Sequence, residues 1–372
     1  MARERNKPNI REGVLICGAY GHGNAGDEAI LLAIINSLRS IDPQLPITVL
    51  SRTPEKTAER FGVKAIYTFD FLGFQRAMRS CVLFLDGGGS LIQDVTSRRS
   101  LWYYLYTIRA AKKRKCRVLM YGCGIGPVNY SSDVKLVRRV LNRYVDVITL
   151  REEHSLLELQ RFGVTSPEII VTSDPALALS PASDERVDTL MAENGLDPRG
   201  RYICFSVREW DGIDLKAKVF AAAADHCKSL GAIPLFVHIN RPEDAAATSL
   251  VRSLMETPSF LVDELPDASL TIGLMSRMTA VVSMRLHGLI FAASTGTPVV
   301  GVSYDPKVTA FLDSVDEKLC VPFDKVTAGS LCELVERAVA RGTDKQARRQ
   351  TMERLKAAEK TNLAYAKKLL EK

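Results

Sequence analysis

The stretch AVVSMRLHGLIFAASTGTPVVGVSYDPK, residues 280–307, holds the fold in miniature. An apolar run leads to Met284, small and apolar residues of helical length begin near Gly288, and an apolar run returns at 299–302. Strand, helix and strand make a βαβ unit, and strands apolar on both faces belong in a parallel sheet covered by helices. The first strand ends in Arg285 and His287, just before the helix starts. A guanidinium, an imidazole and the first amides of a helix then converge, which suits a phosphate or carboxylate. Arg208, in FSVREW (205–210), ends another strand and brings a second guanidinium to the same sheet edge. The plainer readings are a helix-capping His287 and an Arg208 engaged in a salt bridge near Glu209.

The same alternation runs through the chain. Strands are expected at 14–19, 47–51, 65–68, 82–86, 118–122, 147–150 and 169–172, then at 202–207, 233–239, 260–262, 280–284 and 299–302. Helical patterns such as 27–39, 101–113, 134–144 and 215–230 fall between them. This is the α/β class, with mainly parallel sheets. The polar, turn-rich stretch 180–202 predicts a division into two Rossmann-like domains, 1–183 and 184–345, facing across a cleft. A final helix, 346–372, is expected to cross back to the first domain.

A length of 372 residues suits two domains, and 46% hydrophobic with 25% charged side chains excludes a disordered or fibrous chain. The best candidate for a membrane span, 278–302, is broken by Arg285 and His287, so no spanning helix is expected. The N-terminal MARERNKPNIREG is polar and predicts no signal peptide. Eight scattered cysteines without a C-x-x-C pair argue against disulfides and zinc and fit a reducing cytoplasm. No metal-ligand spacing appears, and no metal or cofactor is expected.

The net charge of +7 is concentrated rather than spread. Residues 97–117 carry eight Lys or Arg and no acid, interleaved with Trp102, Tyr103, Tyr104 and Tyr106, while 341–372 carry ten basic and four acidic residues. A basic-aromatic segment can rest on an anionic lipid surface. It can equally be a solvated helix face. No nucleic-acid-binding module accompanies it, so nucleic acid is not expected as a partner.

Three glycine-rich loops follow strands in the first half. GAYGHGNAGDEAI (18–30) formally matches the G-x-G-x-x-G dinucleotide fingerprint, but Asp27 and Glu28 stand where a helix N-terminus would receive a pyrophosphate. A loop for a hydroxylated ligand, bonded by Asn24 and Asp27, is the sounder reading, and Asp27 as a simple helix cap is the alternative. Asp86, followed by Gly87, Gly88, Gly89 and Ser90, with Gln93 beyond, reads either as a ligand loop or as a tight corner. Cys123, in the third loop, lacks a histidine partner pattern and reads as packing. His238, in LFVHINRPED (235–244), ends one more strand and faces either the cleft or its own neighbours.

GNAGDEAIL (23–31), DGGGSLIQD (86–94), REEHS (151–155), FSVREW and MRLHGLIFAASTGTPVVGVSYDPKV (284–308) resemble the polysaccharide pyruvyl transferase family over roughly residues 12–340. Within it the chain is most similar to the cell-surface-anchoring type, which acts on secondary cell-wall polymers of Gram-positive bacteria. The resemblance implies a GT-B-like fold and transfer of the enolpyruvyl unit of phosphoenolpyruvate onto two hydroxyls of one sugar. The product is a cyclic pyruvate ketal, with phosphate released. For this type the implied acceptor is N-acetylmannosamine, at its 4- and 6-hydroxyls, in a lipid-diphosphate-linked disaccharide precursor. The implied donor-binding residues are Arg208, Arg285, His287 and Gly288 in the second domain. Asn24, Asp27, Gly88, Gly89, Gln93 and His238 are expected on the acceptor, and His287, Asp27 and Asp86 in catalysis. An enzyme on this substrate belongs in the cytoplasm, with the anionic inner face of the plasma membrane as a partner surface. The rival readings are a GT-B glycosyltransferase using a nucleotide sugar, a non-catalytic binding protein and an NADP oxidoreductase.

Overall fold

In the computed structural model, which describes residues 11–343 and 345–371, apolar runs form thirteen strands, all paired in parallel, in two sheets. The polar residues 1–10, most of the run read as lacking a signal peptide, lie outside the described part.

One unit comprises the chain to His22, Ile30–Pro175 and the chain from Ala358. Its strands are β1 (Gly13–Cys17), β2 (Ile47–Ser51), β3 (Lys64–Tyr67), β4 (Cys81–Ile92), β5 (Arg117–Ile125), β6 (Val147–Leu150) and β7 (Glu168–Val171), in the order β3-β2-β1-β4-β5-β6-β7. Parallel neighbours need crossovers, and helices such as Pro54–Phe61, Phe71–Ser80, Arg98–Lys113 and Ser131–Tyr144 supply them. The core forms where Leu15, Phe84, Met120 and Ile148 meet Ile108, Leu141 and Leu159 from the covering helices. The end of the last helix, Lys345–Glu371, is sewn to this unit: Thr172 Oγ1 donates to Asn362 Oδ1 at 2.9 Å, and Tyr365 donates to Glu168 at 2.5 Å.

The other unit comprises Gly23–Ala29 and Ala176–Ala357. Its strands are β8 (Tyr202–Ser206), β9 (Ile233–Val237), β10 (Phe260–Val262), β11 (Ala280–Ser283), β12 (Val299–Ser303) and β13 (Cys320–Pro322), in the order β10-β9-β8-β11-β12-β13. Phe205 and Phe236 stack at 5.6 Å in its core, beside Phe220, Val282 and Val300.

Three expectations need correction. The boundary falls between Pro175 and Ala176, not at 183, and the stretch 180–202 read as a turn-rich divider contains the helix Asp184–Glu193. Its buried Val187, Leu190 and Met191 sit at helical spacing inside an otherwise polar run. Residues 23–29, expected with the first domain, pack in the second unit. The Asp86–Ser90 segment is no corner: β4 continues through it to Ile92, with Gly88 and Gly89 at φ +64° and +72° and a break in register before Ile92.

In each sheet the chain runs outward and then returns to the other side of its first strand, between β1 and β4 and between β8 and β11. Open α/β sheets bind ligands beyond the carboxyl ends of the strands at such reversals.

Candidate active site

The β8/β11 reversal is where the second unit collects its unusual side chains. β11 ends at Ser283, whose hydroxyl accepts from Arg285 N–H at 3.0 Å and donates to Arg285 C=O at 2.8 Å. That turn starts the fully buried helix Leu286–Ser294 with Arg285 at its N-cap. Gly288 serves this closure, since a Cβ there would lie 2.5 Å from Ser283 Oγ. Its expected donor-binding role is therefore joined to a packing requirement.

Arg285 is buried and not bare. Its Nε donates to Asp244 Oδ1 at 2.8 Å, its Nη2 bonds the same oxygen, and Nη2 also reaches Glu243 Oε2 at 2.9 Å. Asp244 is fully buried and also accepts from Ile239 N–H at 3.0 Å and Asn240 N–H at 2.8 Å. Burial acts to lower the Arg285 pKa, but the two carboxylates hold it above its ordinary value, so the guanidinium stays charged. Arg208 donates Nη1 to Tyr304 OH at 2.6 Å, Nε to Glu209 C=O at 3.1 Å and Nη2 to Glu243 Oε2 at 3.3 Å. Its guanidinium carbon lies 4.5 Å from the Tyr304 ring centroid and 5.1 Å from that of Trp210. The two arginines meet as expected from sequence, and each holds a carboxylate: Arg208 bonds Glu243, as the plainer reading of a salt bridge near Glu209 allows, and Arg285 bonds Glu243 and Asp244.

His287 is buried, with its ring 5.8 Å from Phe291. Gly26 packs directly on it, because a Cβ at Gly26 would fall 2.0 Å from His287 Nδ1. The Gly26 position is fixed by Asn24, whose Oδ1 accepts from Gly26 N–H at 2.9 Å, and by Ala25 N–H donating to Ile239 C=O at 2.8 Å. Asn24 thus precedes the helix Ala25–Ile41 as its cap, and half-buried Asp27 lies in the first turn. His238, also buried, bonds Asp263 Oδ1 through Nδ1 at 2.9 Å, and Arg241 donates to the other Asp263 oxygen. A carboxylate on Nδ1 favours the tautomer with its proton there, leaving Nε2 as an acceptor. Glu243, Asp244, Asp263, Tyr304 and Gly26 escaped the sequence reading. The acids of RPED (241–244) and the helix-start position of Gly26 were visible, but partners more than 40 residues away leave no local pattern.

The remaining candidates, Asp86, Gly88, Gly89 and Gln93, belong to the first unit. Asp86 is fully buried inside β4, neither oxygen has a hydrogen-bond partner, and burial pushes its pKa up to about 8. The carboxyl expected to act on an acceptor hydroxyl has no exposed surface here. Gly88 is needed for packing, since a Cβ would meet Ile30 Cγ2 at 2.2 Å, and Gly89 pairs with Cys123. Gln93 ties its own turn, accepting from Val95 and Thr96 N–H at 2.8 and 3.0 Å. Each of these three thus has a local role in the strand or its exit turn.

A cavity of about 340 Å³ in the second unit is lined by Thr297, Val299, Glu317, Arg341, Arg348 and Met352. Val299 begins β12, so this cavity touches the opposite end of the sheet from Arg285. Among the described residues, no group of three or more His, Cys, Asp or Glu side chains could hold a metal ion, and no helix is long and apolar enough to cross a membrane.

Residues 24–306 match the sequence model of the polysaccharide pyruvyl transferase family. The amylovoran biosynthesis protein AmsJ of Erwinia amylovora is 23% identical over 353 residues, covering 79% of this chain and 84% of that protein. A glycosyltransferase from Rickettsia africae ESF-5 superposes with a TM-score of 0.65 at 12% identity, covering 97% of this chain and 99% of that one. The UDP-GlcNAc 2-epimerase of Neisseria meningitidis, bound to UDP-GlcNAc, gives 0.65 at 14% identity, covering 97% and 100%. At such identities the superpositions speak for the fold alone, which is α/β and GT-B-like with two Rossmann-like parallel sheets.

Proposed function

The chain belongs to the polysaccharide pyruvyl transferase family, and on that premise we propose that it takes phosphoenolpyruvate as donor and the 4- and 6-hydroxyls of N-acetylmannosamine as acceptor. It is a transferase of polysaccharide biosynthesis. The proposed acceptor sugar sits in a lipid-diphosphate-linked precursor of a secondary cell-wall polymer, the type that anchors an S-layer. One observation carries the donor reading: Nη2 of Arg208 and Nη2 of Arg285 converge on a single carboxylate oxygen at the β8/β11 reversal. The donor offers a carboxylate and a phosphate, the two groups a pair of guanidiniums grips best.

The reaction begins with protonation of the donor's methylene carbon, which leaves an oxocarbenium-like centre at the carbon bearing carboxylate and phosphate. One sugar hydroxyl adds there and loses its proton. Phosphate departs with the carbon–oxygen electron pair, and the second hydroxyl closes the ring and loses its own proton. Of the two protons released, one replaces the proton consumed and the other leaves with the phosphate or the solvent. His287 handles proton transfer at the donor, since an imidazole can both accept and give a proton. Arg208 and Arg285 stabilise the charge that builds on the departing phosphate. Asp27 and His238, the latter oriented by Asp263, bind the hydroxyls and take their protons.

The enzyme works in the cytoplasm against the inner face of the plasma membrane, where such an acceptor is found. Trp102 and Tyr106 are exposed on the basic helix Arg98–Lys113, and exposed Phe69, Phe71 and Leu72 lie beside it, with Phe71 6.0 Å from Tyr106. Arg52 covers Phe69 at 5.1 Å, so the aromatic face has a cationic rim for anionic headgroups.

Incubating the protein with phosphoenolpyruvate and a synthetic lipid-diphosphate disaccharide tests the reading. The expected products are inorganic phosphate and a ketal, seen by mass and NMR. Nucleotide release from a sugar nucleotide, with no ketal formed, would establish the glycosyltransferase instead.

A further inference from the structure

Two carboxylates from consecutive residues bind Arg285, and they differ in one respect that matters. Asp244 has a side-chain exposure of 0% and is also held by two backbone N–H groups, so it cannot leave. Glu243 is 51% exposed, and its Oε2 is the one atom shared by Arg285 and Arg208. A half-exposed glutamate in the first turn of the helix Arg241–Ser253 can rotate into water, where its charge is well solvated.

We propose that Glu243 is a built-in stand-in for the donor, filling the anion seat between Arg208 and Arg285 until a carboxylate or phosphate oxygen displaces it. This rests on the reading of those arginines as the donor's seat. The stand-in keeps two like charges compensated while the seat is empty, and it holds both guanidiniums turned toward one point. Burial acts to raise the Glu243 pKa, but the bonds and charge of Arg285, with Arg208, hold the carboxyl below its ordinary value, so the tethered group is an anion at neutral pH. A tethered anion competes with every free one. The seat therefore selects ligands able to offer a full negative charge, because a neutral hydroxyl or carbonyl cannot replace what Glu243 already supplies. Donor affinity in the native chain is lower than the arginines alone would give.

Calorimetric titration of the full chain with phosphoenolpyruvate, without acceptor, tests this on Glu243→Gln, Glu243→Ala and Arg208→Ala. Both Glu243 variants are expected to bind roughly tenfold more tightly, the scale of one charge-assisted hydrogen bond no longer contested. Arg208→Ala is expected to bind more weakly. A gain in affinity is a result that damage to the fold does not produce. Unchanged or weaker binding in both Glu243 variants, with Arg208→Ala still weakened, overturns the stand-in and leaves the donor seat in place. Unchanged binding in Arg208→Ala removes the seat itself, whatever the Glu243 variants do.

Discussion

Replacing Gly26 by alanine interrogates His287 without touching it. The new Cβ would lie 2.0 Å from Nδ1 and 2.4 Å from Cγ of the imidazole, and ordinary contacts begin at 3.4 Å, so ring or helix must yield by about 1.4 Å. Neither side is loose. Gly26 N–H is bonded to Asn24, Ala25 N–H to Ile239, and His287 sits on a helix buried along its whole length. Overpacking of this kind costs roughly 1–3 kcal/mol, and alanine's better helix propensity returns up to about 1 kcal/mol. The net loss of stability is then on the order of 1 kcal/mol, lowering Tm by only a few degrees in a chain of this size. The effect on turnover is much larger, because displacing a proton-transfer group by about 1 Å costs on the order of a hundredfold. Phosphate release with acceptor present, beside a thermal melt, separates the two quantities. In a His287→Ala background the added methyl meets no ring, so Gly26→Ala should cost little further activity there. A wild-type kcat in the single variant, or a full hundredfold loss persisting without the imidazole, would refute the reasoning.

Asp244→Asn strips Arg285 of its buried counter-charge and should lower stability to urea by about 3–5 kcal/mol, whereas Glu243→Gln, at a half-exposed carboxylate, should cost about 0–1 kcal/mol. Asp86 has its folded pKa raised from an ordinary 3.8 to about 8, so the native state holds its proton more tightly than the unfolded chain does. Its contribution to stability is full below about pH 4 and is lost as pH rises toward about 8. Chemical unfolding across that window should show Asp86→Asn gaining on the wild type by a few kcal/mol as pH rises, and parallel curves would contradict the buried, proton-bearing carboxyl. Replacing Phe71 and Trp102 by alanine should abolish co-sedimentation with anionic vesicles, and binding by the wild type should weaken as salt rises; salt-insensitive absence of binding in the wild type would remove the membrane face.

Element type was legible wherever one periodicity dominated. The apolar runs at 47–51 and 147–150 are strands at the expected residues, because a strand buried on both faces leaves no alternation to misread. The failures came where local signals conflicted with tertiary demands. A glycine triplet reads as a turn, yet Ile30 packs so closely on β4 that Gly88 has to be there for the strand to continue. The helix Asp184–Glu193 was hidden because its three buried residues are outnumbered by charges. At the site, the cations were found from strand ends alone, while their partners were not. Glu243 and Asp244 lie 42 and 41 residues before Arg285, and only the sheet order brings the loops after β9 and β11 to the same edge.

That partnership alters what an arginine at a strand end means. If every carboxylate on Arg285 resembled Asp244, the guanidinium would be a structural ion, with its charge consumed and no seat left for a substrate. A removable partner changes the balance. The buried pair with Asp244 has already met most of the desolvation and orientation cost of placing Arg285 at the site. An incoming anion then exchanges places with Glu243 instead of drawing a flexible, hydrated side chain out of water. Exchange of one anion for another is nearly neutral in charge, so the outcome depends on shape and on how many oxygens the ligand can present. Phosphoenolpyruvate presents two anionic groups to Glu243's one, and that difference in valence is the physical basis on which the donor would win the seat.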